Sequence, residues 1–277
     1  MPALETAPAP VADFYPRDVD FGLDPARVND WCGDSSRTLL FNVLSITFPV
    51  GERFFINAVA SYRKDVADPK LRAEIAAFVQ QEALHTREHI AYNKAISTII
   101  DTAPLEQSLD NFLAYVKRSS PKLIPLAVTT ALEHFTAILA KETLENPTHL
   151  NGAKPEYARL WTWHALEECE HKAVSYDVFQ TVTGGREEAV RIIAMIPTSL
   201  ILFFYLGKFS HAVLKAQGKA GSPVAWTKFL WATYGTPGLF RRVIPNYLKY
   251  YRPGFHPNDI DDRALLNRTK QLVESWA

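Results

Sequence analysis

The sequence has few cysteines and no net charge. Two cysteines, Cys32 and Cys169, among 277 residues are too few for a disulfide scaffold, so we expect a reducing, cytoplasmic environment. Because the formal net charge is zero, the composition does not favour a nucleic-acid partner. The first 16 residues lack a basic segment followed by an apolar one, so we expect no signal peptide, and their prolines and alanines predict disorder.

Acidic residues are missing from one long stretch. Residues 189–258 contain no Asp or Glu but nine Lys and Arg. The stretch opens with an apolar run, residues 192–207, which is shorter than the roughly 20 residues that cross a bilayer. We therefore expect a buried core helix there rather than a membrane span. The aromatic and basic residues that follow suit either an anionic membrane surface or a homodimer interface.

The apolar pattern predicts an all-α protein. Asp34 or Ser35 can cap a first helix, and Asp68-Pro69 is a strong helix start. Pro49 should kink or break a helix because it has no amide hydrogen. The predicted helices cover residues 50–66, 69–100, 105–117, 121–144, 155–183 and 259–276.

One segment, Trp163–His171, places three potential metal ligands on one helix face. His164, Glu168 and His171 follow one another at i, i+4 and i+7, so their side chains project within about 60° of each other. Two imidazoles and a carboxylate aimed the same way form half of a metal site. Facing helices should supply the other half.

The other half is found in chain order. Glu82 and His85 form an E-x-x-H pair in one preceding helix, and Glu52 and Glu133 are single acids in two others. Single Glu and E-x-x-H therefore alternate over four successive helices, which is the pattern of four-helix-bundle dimetal proteins. Glu82 and Glu168 are the expected bridges between two ions. Oxygen-rich ligation favours iron, with manganese or zinc as alternatives.

Each motif alone also has an ordinary explanation. Glu52 can be an acid favoured at a helix N-terminus. Glu133 can share a narrow solvated stripe of its helix with His134. Glu167 competes with Glu168 as a ligand, although the spacing to His171 favours Glu168. His89 could be an additional ligand, a partner that holds a carboxylate, or a surface histidine.

Three segments also carry a resemblance to a known family. Phe48–Phe55, Glu82–His85 with His89, and Trp163–Lys172 resemble the bacterial family described as predicted metal-dependent hydrolase, within the ferritin-like dimetal-carboxylate superfamily. The resemblance covers about residues 34–252. The His-x-x-x-Glu-x-x-His arrangement is similar to that of the dinuclear iron N-oxygenases of aryl amines, in which three His and four Glu ligate two irons.

These observations predict a ferritin-like four-helix bundle with a helical C-terminal extension. We expect a disordered or irregular leader at residues 1–33, a dimetal core at 34–185 and an extension at 186–277 that packs on the core in a single domain. The leading function is a di-iron oxidase or oxygenase that uses O₂ on a small hydrophobic substrate. The alternative is a dinuclear hydrolase in which the metals generate hydroxide, and a metal-storage protein is a third hypothesis. The surface at 189–258 could dock on a bilayer and admit a lipid-like substrate.

Overall fold

The computed structural model describes residues 11–186 and 188–276. In this part of the chain the regular structure is helical and no strand occurs, which confirms the all-α class. The α-helices are α1 (Ser35–Ala60), α2 (Pro69–Ile96), α3 (Ala103–Ser119), α4 (Leu123–Glu145), α5 (Pro155–His171), α6 (Val174–Thr183), α7 (Glu188–Ala216), α8 (Pro223–Leu230), α9 (Leu239–Lys249) and α10 (Arg263–Glu274).

The helices form a bundle that fits the ferritin-like architecture. Helices α1 and α2 pack along each other, as do α4 and α5, and α1 contacts α4 while α2 contacts α5. Helix α7 packs on α4 and α1, and α9 packs on α4. Helices α7 and α9 of the C-terminal extension therefore cover the bundle on the side of α1 and α4, while α10 packs on α5.

Helix α1 continues through Pro49, so the predicted break is wrong. A proline inside a helix costs about 3 kcal/mol. That cost is outweighed because 18 of the 26 residues of α1 are buried, including Pro49 itself. Burial of apolar side chains contributes about 1.5–3 kcal/mol for each large one, so packing decides the outcome. The bundle helix is longer than the predicted 50–66.

The predicted helix 155–183 is divided into α5 and α6. The interruption falls at Lys172 and Ala173. Lys172 is buried, and its ammonium group donates hydrogen bonds to the carbonyl of Ile260 and to the carboxylate of Asp262. The helix divides directly after the segment that carries the predicted ligands.

Residues 11–33 are mostly irregular but lie against the bundle. Phe14, Phe21 and Trp31 are buried in the core. The predicted disorder is therefore wrong for residues 11–16, because an aromatic side chain among them is buried. The disorder predicted for residues 1–10 lies outside the described residues.

Helix α7 is not the short buried helix that was expected. It has 29 residues, and Ile193, Ile196, Leu200 and Phe204 are more than half exposed. Its nearly uniform apolar sequence gave no sign of which face is covered. Among the described helices, α1, α4 and α7 are long and apolar enough to cross a membrane, but α1 and α4 are mostly buried in the bundle.

Candidate metal centre

Four helices bring the seven predicted ligands together in the middle of the bundle. Helix α1 carries one of them, α2 carries two, α4 carries one and α5 carries three. All seven are at most 4% exposed: Glu52, Glu82, His85, Glu133, His164, Glu168 and His171. Four carboxylates and three imidazoles are costly to bury unless they pair or bind cations.

The donor atoms form two adjacent groups. Glu52, His85 and His164 make one group, which we call the two-histidine group. The second, the one-histidine group, consists of four side chains. Within each group the potential ligand atoms lie within 4.8 Å of one another. The members of the one-histidine group are Glu82, Glu133, Glu168 and His171.

Glu168 and Glu82 lie between the two groups. Oε1 of Glu168 is 3.1 Å from Nε2 of His164, whereas its Oε2 is 3.6 Å from Nε2 of His171. Oε2 of Glu82 is 3.8 Å from Nδ1 of His85, whereas its Oε1 is 3.3 Å from Nε2 of His171. Each carboxylate thus presents one oxygen to each group, which is the geometry that a bridging carboxylate needs.

Many polar atoms at this centre have no hydrogen-bond partner. Buried polar groups are nearly always paired, and an unpaired one costs about 1–3 kcal/mol. The atoms without a partner are Glu52 Oε1, both carboxylate oxygens of Glu82 and of Glu133, His85 Nδ1, Glu168 Oε2 and His171 Nε2. All of them can ligate a cation, and four carboxylates balance the charge of two divalent ions. The side chains therefore fit a pair of divalent metal ions.

The carboxylates differ in proton affinity. Burial raises the pKa of Glu52 and of Glu133 well above the usual range of a glutamate. Burial acts on Glu82 and Glu168 as well, but the histidines beside them outweigh it and lower their pKa. The centre thus favours the anionic form of the two expected bridges and disfavours it for the two expected terminal ligands, where a nearby cation would offset the cost of burial.

A family model described as predicted metal-dependent hydrolase matches residues 15–261. The chain belongs to this family. Comparisons with the curated proteins and with the solved structures gave no significant match. The family match extends from the N-terminal segment through α9, so it includes the whole bundle and most of the extension.

In this member of the predicted metal-dependent hydrolase family, the outer nitrogen of His85 is held by a carboxylate. Nε2 of His85 is 3.1 Å from Oε2 of Glu167. Oε1 of Glu167 accepts hydrogen bonds from the backbone amide of Arg17, at 2.9 Å, and from its guanidinium, at 3.3 Å. Burial would lower the pKa of His85, but Glu167 and Glu82 outweigh it and raise that pKa to about 10.

The outer nitrogen of His171 is connected to Arg17 through Gln81 and Glu170. Nδ1 of His171 is 3.0 Å from Oε1 of Gln81, and the amide nitrogen of Gln81 donates to Glu170 at 3.0 Å. Glu170 accepts two hydrogen bonds from the guanidinium of Arg17, at 2.7 and 2.8 Å. Arg17 thus supports two of the three histidines. Such outer partners fix the ring orientation and the tautomer of a metal-binding histidine.

The third histidine has uncharged outer partners. Nδ1 of His164 is 3.0 Å from Nε2 of His89, and Nδ1 of His89 is 2.9 Å from the hydroxyl of Ser45. That hydroxyl donates to the side chain of Asn93 at 2.8 Å. Burial lowers the pKa of both His164 and His89. A neutral His164 can offer Nε2 to a cation while Nδ1 donates to His89.

The structure places the two uncertain side chains outside the groups of potential ligands. Glu167 faces Arg17 and the outer nitrogen of His85, whereas Glu168 faces the centre. His89 uses both ring nitrogens for His164 and Ser45, so it acts as the partner of a ligand in this geometry. The ligand roles of the seven inner side chains remain predictions.

Sequence reasoning missed several supporting residues. Arg17 lies in a segment that was expected to be a leader, and nothing in the local pattern indicates its contact with α5. Gln81 precedes a predicted ligand directly, so its place at the centre could have been considered. Thr86, whose hydroxyl donates to Oε2 of Glu52 at 2.9 Å, follows another ligand directly.

Proposed function

We propose that the protein is a hydrolase that uses two divalent metal ions held by the seven buried side chains. The observation that carries the proposal is the set of unpaired carboxylate and imidazole atoms that converge from four helices. Membership in a family described as predicted metal-dependent hydrolase supports the reaction class. When bound, such ions polarise the scissile bond and acidify water.

The side chains have separate roles in this proposal. Glu82 and Glu168 would be shared by the two ions, because each presents one oxygen to each group. Glu52 and Glu133 are the terminal carboxylates, and Thr86 holds one oxygen of Glu52. The oxygen-rich donor set favours iron or manganese over zinc.

Metal analysis combined with anaerobic hydrolysis tests the proposal. Purified protein should contain two metal ions per chain, and it should cleave nitrophenyl esters or phosphoesters without O₂. Removal of the ions by a chelator should abolish the cleavage, and added metal should restore it. Metal-independent cleavage, or two bound ions with no hydrolysis of any such substrate, would contradict the proposal.

Oxygen chemistry at a di-iron centre is the second candidate. The observation that favours it is the apolar cavity beside Glu52, whose walls offer little to bind the water that hydrolysis consumes. This reaction needs iron, O₂ and an external electron donor. O₂ consumption by the reduced iron-loaded protein, together with a failure of anaerobic hydrolysis, would favour it over the hydrolase.

A further inference from the structure

An apolar cavity of about 260 Å³ lies between α1, α3, α4 and α7. Apart from three threonines and one tyrosine, its described lining residues are hydrocarbon side chains, one glycine and one carboxylate, Glu52. A dry cavity of about 150 Å³ is enough for benzene. This cavity therefore has room for a larger apolar group. A larger cleft, about 950 Å³, lies elsewhere and is lined by charges of both signs and by none of the seven predicted ligands.

The cavity is elongated along the bundle. Its lining residues on α4 recur on one helix face over four turns, which corresponds to about 22 Å at 1.5 Å per residue. They include Ile124, Val128, Leu132, Phe135 and Leu139. A volume of about 260 Å³ spread over such a length gives a narrow space. A single linear alkyl chain fits this shape better than a set of fused rings.

One lining residue links the cavity to the metal centre. Glu52 forms part of the cavity wall and also belongs to the two-histidine group with His85 and His164. Its side chain is held by Thr86, whose hydroxyl donates to Oε2. An alkyl chain in the cavity would therefore place the bond at its polar end beside the metal centre.

We propose that the substrate is an amphiphile with one linear acyl chain, which lies in this cavity with its hydrolysable bond beside Glu52. The inference rests on the proposed hydrolase function. For an ester, the acyl carbon–oxygen bond breaks, the hydroxyl of water adds to the acyl carbon, and the proton passes to the leaving alcohol. The cavity supplies affinity for the chain, since burial of each methylene contributes about 0.8 kcal/mol.

Binding of linear alcohols tests the cavity without hydrolysis. Calorimetric titration of the metal-free protein with the series from hexanol to tetradecanol should show affinity rising about fourfold per methylene. The rise should stop at the chain length that fills the cavity. Affinity that is independent of chain length would overturn the proposal.

Two substitutions at Val128 sharpen the test. Val128→Phe fills the cavity and should shorten the longest chain that still gains affinity, whereas Val128→Ala enlarges it and should lengthen that chain. Val11→Phe is the matched control, because Val11 is 78% exposed and lies outside the cavity. If all three variants bind the series like the original protein, the proposed site is wrong.

The outcome separates this proposal from the hydrolase proposal. If alcohols bind with the expected length limit but no ester is cleaved, the chain site stands and the hydrolase function fails. If the metal-loaded protein cleaves short esters but gains nothing from longer chains, the hydrolase function stands and the chain site fails.

A second observation concerns the outer surface of α7. Ile193, Ile196, Leu200 and Phe204 recur at intervals of three and four residues, so they form one exposed apolar stripe about 16 Å long. Helix α9 lies beside α7, where the hydroxyl of Tyr247 is 2.9 Å from that of Ser199. Exposed apolar stripes of this kind mark interaction surfaces.

The stretch of sequence that carries this stripe is also rich in exposed basic residues. Residues 189–258 contain no acid, and seven of their nine bases are exposed. In the described structure Arg242 pairs with Glu142, at 3.6 Å, while the other six exposed bases make no salt bridge. They are Lys208, Lys215, Lys219, Lys228, Arg241 and Arg252.

We also propose that the surface of residues 189–258 docks on an anionic lipid bilayer. The apolar stripe would enter the interfacial region and the bases would contact lipid phosphates, each contributing about 1 kcal/mol near the surface. Since α7 also lines the cavity, docking brings the membrane next to the proposed acyl-chain site.

Flotation with vesicles tests this docking. The protein should float with phosphatidylglycerol vesicles and not with phosphatidylcholine vesicles, and added salt should release it. Leu200→Ser with Phe204→Ser should abolish flotation, whereas Leu272→Ser, at a half-exposed leucine of α10, should not. Extraction only by detergent would indicate a span, and a dimer that the double variant dissociates would indicate a second copy; either result would overturn docking.

Discussion

The outer partners of His164 are uncharged, whereas the outer partners of His85 and His171 lead to the charged Arg17. The chain of His89, Ser45 and Asn93 lies wholly on α1 and α2. The charged support reaches two histidines from Arg17 through Glu167 and Glu170. Both arrangements fix imidazole rings, but the pKa values differ. Burial lowers the pKa of His164, whereas nearby carboxylates outweigh burial and raise the pKa of His85 and of His171; for His171 these are carboxylates of the centre itself. A cation therefore competes with protons at His85 and His171, as it does at Glu52 and Glu133, whose pKa is also raised.

Loss of Glu168, whose carboxylate faces both groups of potential ligands, should have the largest effect. Glu168→Ala takes away one oxygen from each group, so we expect both metal ions to be lost and activity to disappear. Metal content by mass spectrometry of the purified variant measures this. Glu145→Ala is the control, since Glu145 is a surface acid of α4. Retention of one ion by Glu168→Ala would show that Glu168 does not bridge.

Loss of His164, the histidine with uncharged outer partners, should affect the binding of one metal ion only. His164→Ala removes a ligand of the two-histidine group only, so we expect loss of one metal ion and retention of the other. Titration of the metal-free variant with ferrous or manganous ion, followed by calorimetry, should resolve one site instead of two. Equal loss at both sites, or no loss, would contradict the role of His164.

Loss of Arg17, which supports His85 and His171, should lower the free energy of unfolding of the metal-free protein. Arg17→Ala leaves the buried carboxylate of Glu167 without its arginine and leaves Glu170 with Lys270 alone, and a broken buried pair costs about 3–5 kcal/mol. Chemical denaturation of the metal-free variant measures this cost. Arg27→Ala removes a surface pair with Asp24 and should cost at most about 1 kcal/mol. A similar, small loss in both variants would show that Arg17 is not essential to the support.

Loss of His89, the uncharged partner of His164, should weaken the binding of one metal ion only. His89→Phe keeps a ring in place but removes the partner of His164, so we expect affinity for one ion to fall about 10–100-fold. The other ion should bind as before. Competition against a chelator measures both affinities, and equal weakening of the two sites would contradict separate supports.

The smallest effect that we expect is a difference between variants in how metal affinity depends on pH. His85 has a pKa of about 10 and carries a proton near neutral pH, whereas burial keeps His164 neutral. Because protons compete with the cation, affinity should rise with pH, by up to about tenfold per unit for each displaced proton. The slope of metal affinity against pH should change more in Arg17→Ala than in His89→Phe. Metal titrations at several pH values would show whether the slopes differ.

The sequence was sufficient to predict the inner side chains because each motif is local to one helix. Residues four or seven positions apart on α5 share a face whatever surrounds the helix. The fold class followed from the same periodicity. Helix lengths were less predictable, since the continuation of α1 through Pro49 depends on packing that no local pattern records.

The outer partners and the exposed face of α7 could not be predicted for different reasons. Arg17 and Glu170 are 153 positions apart, so their contact depends on the path of an irregular segment. Helix α7 is nearly all apolar from residue 192 to residue 207. Only its packing against other helices, including α4 and α9, decides that Met195 is buried and Leu200 is exposed.

The support around Arg17 also has a consequence for the order of assembly. Glu170 accepts hydrogen bonds from Arg17 and forms a salt bridge with Lys270 at 3.1 Å, while Tyr15 donates to Glu274. During synthesis from the N-terminus, Arg17 emerges first, its partners on α5 follow much later, and Lys270 comes near the end. The inner ligands can therefore meet before their outer support is complete.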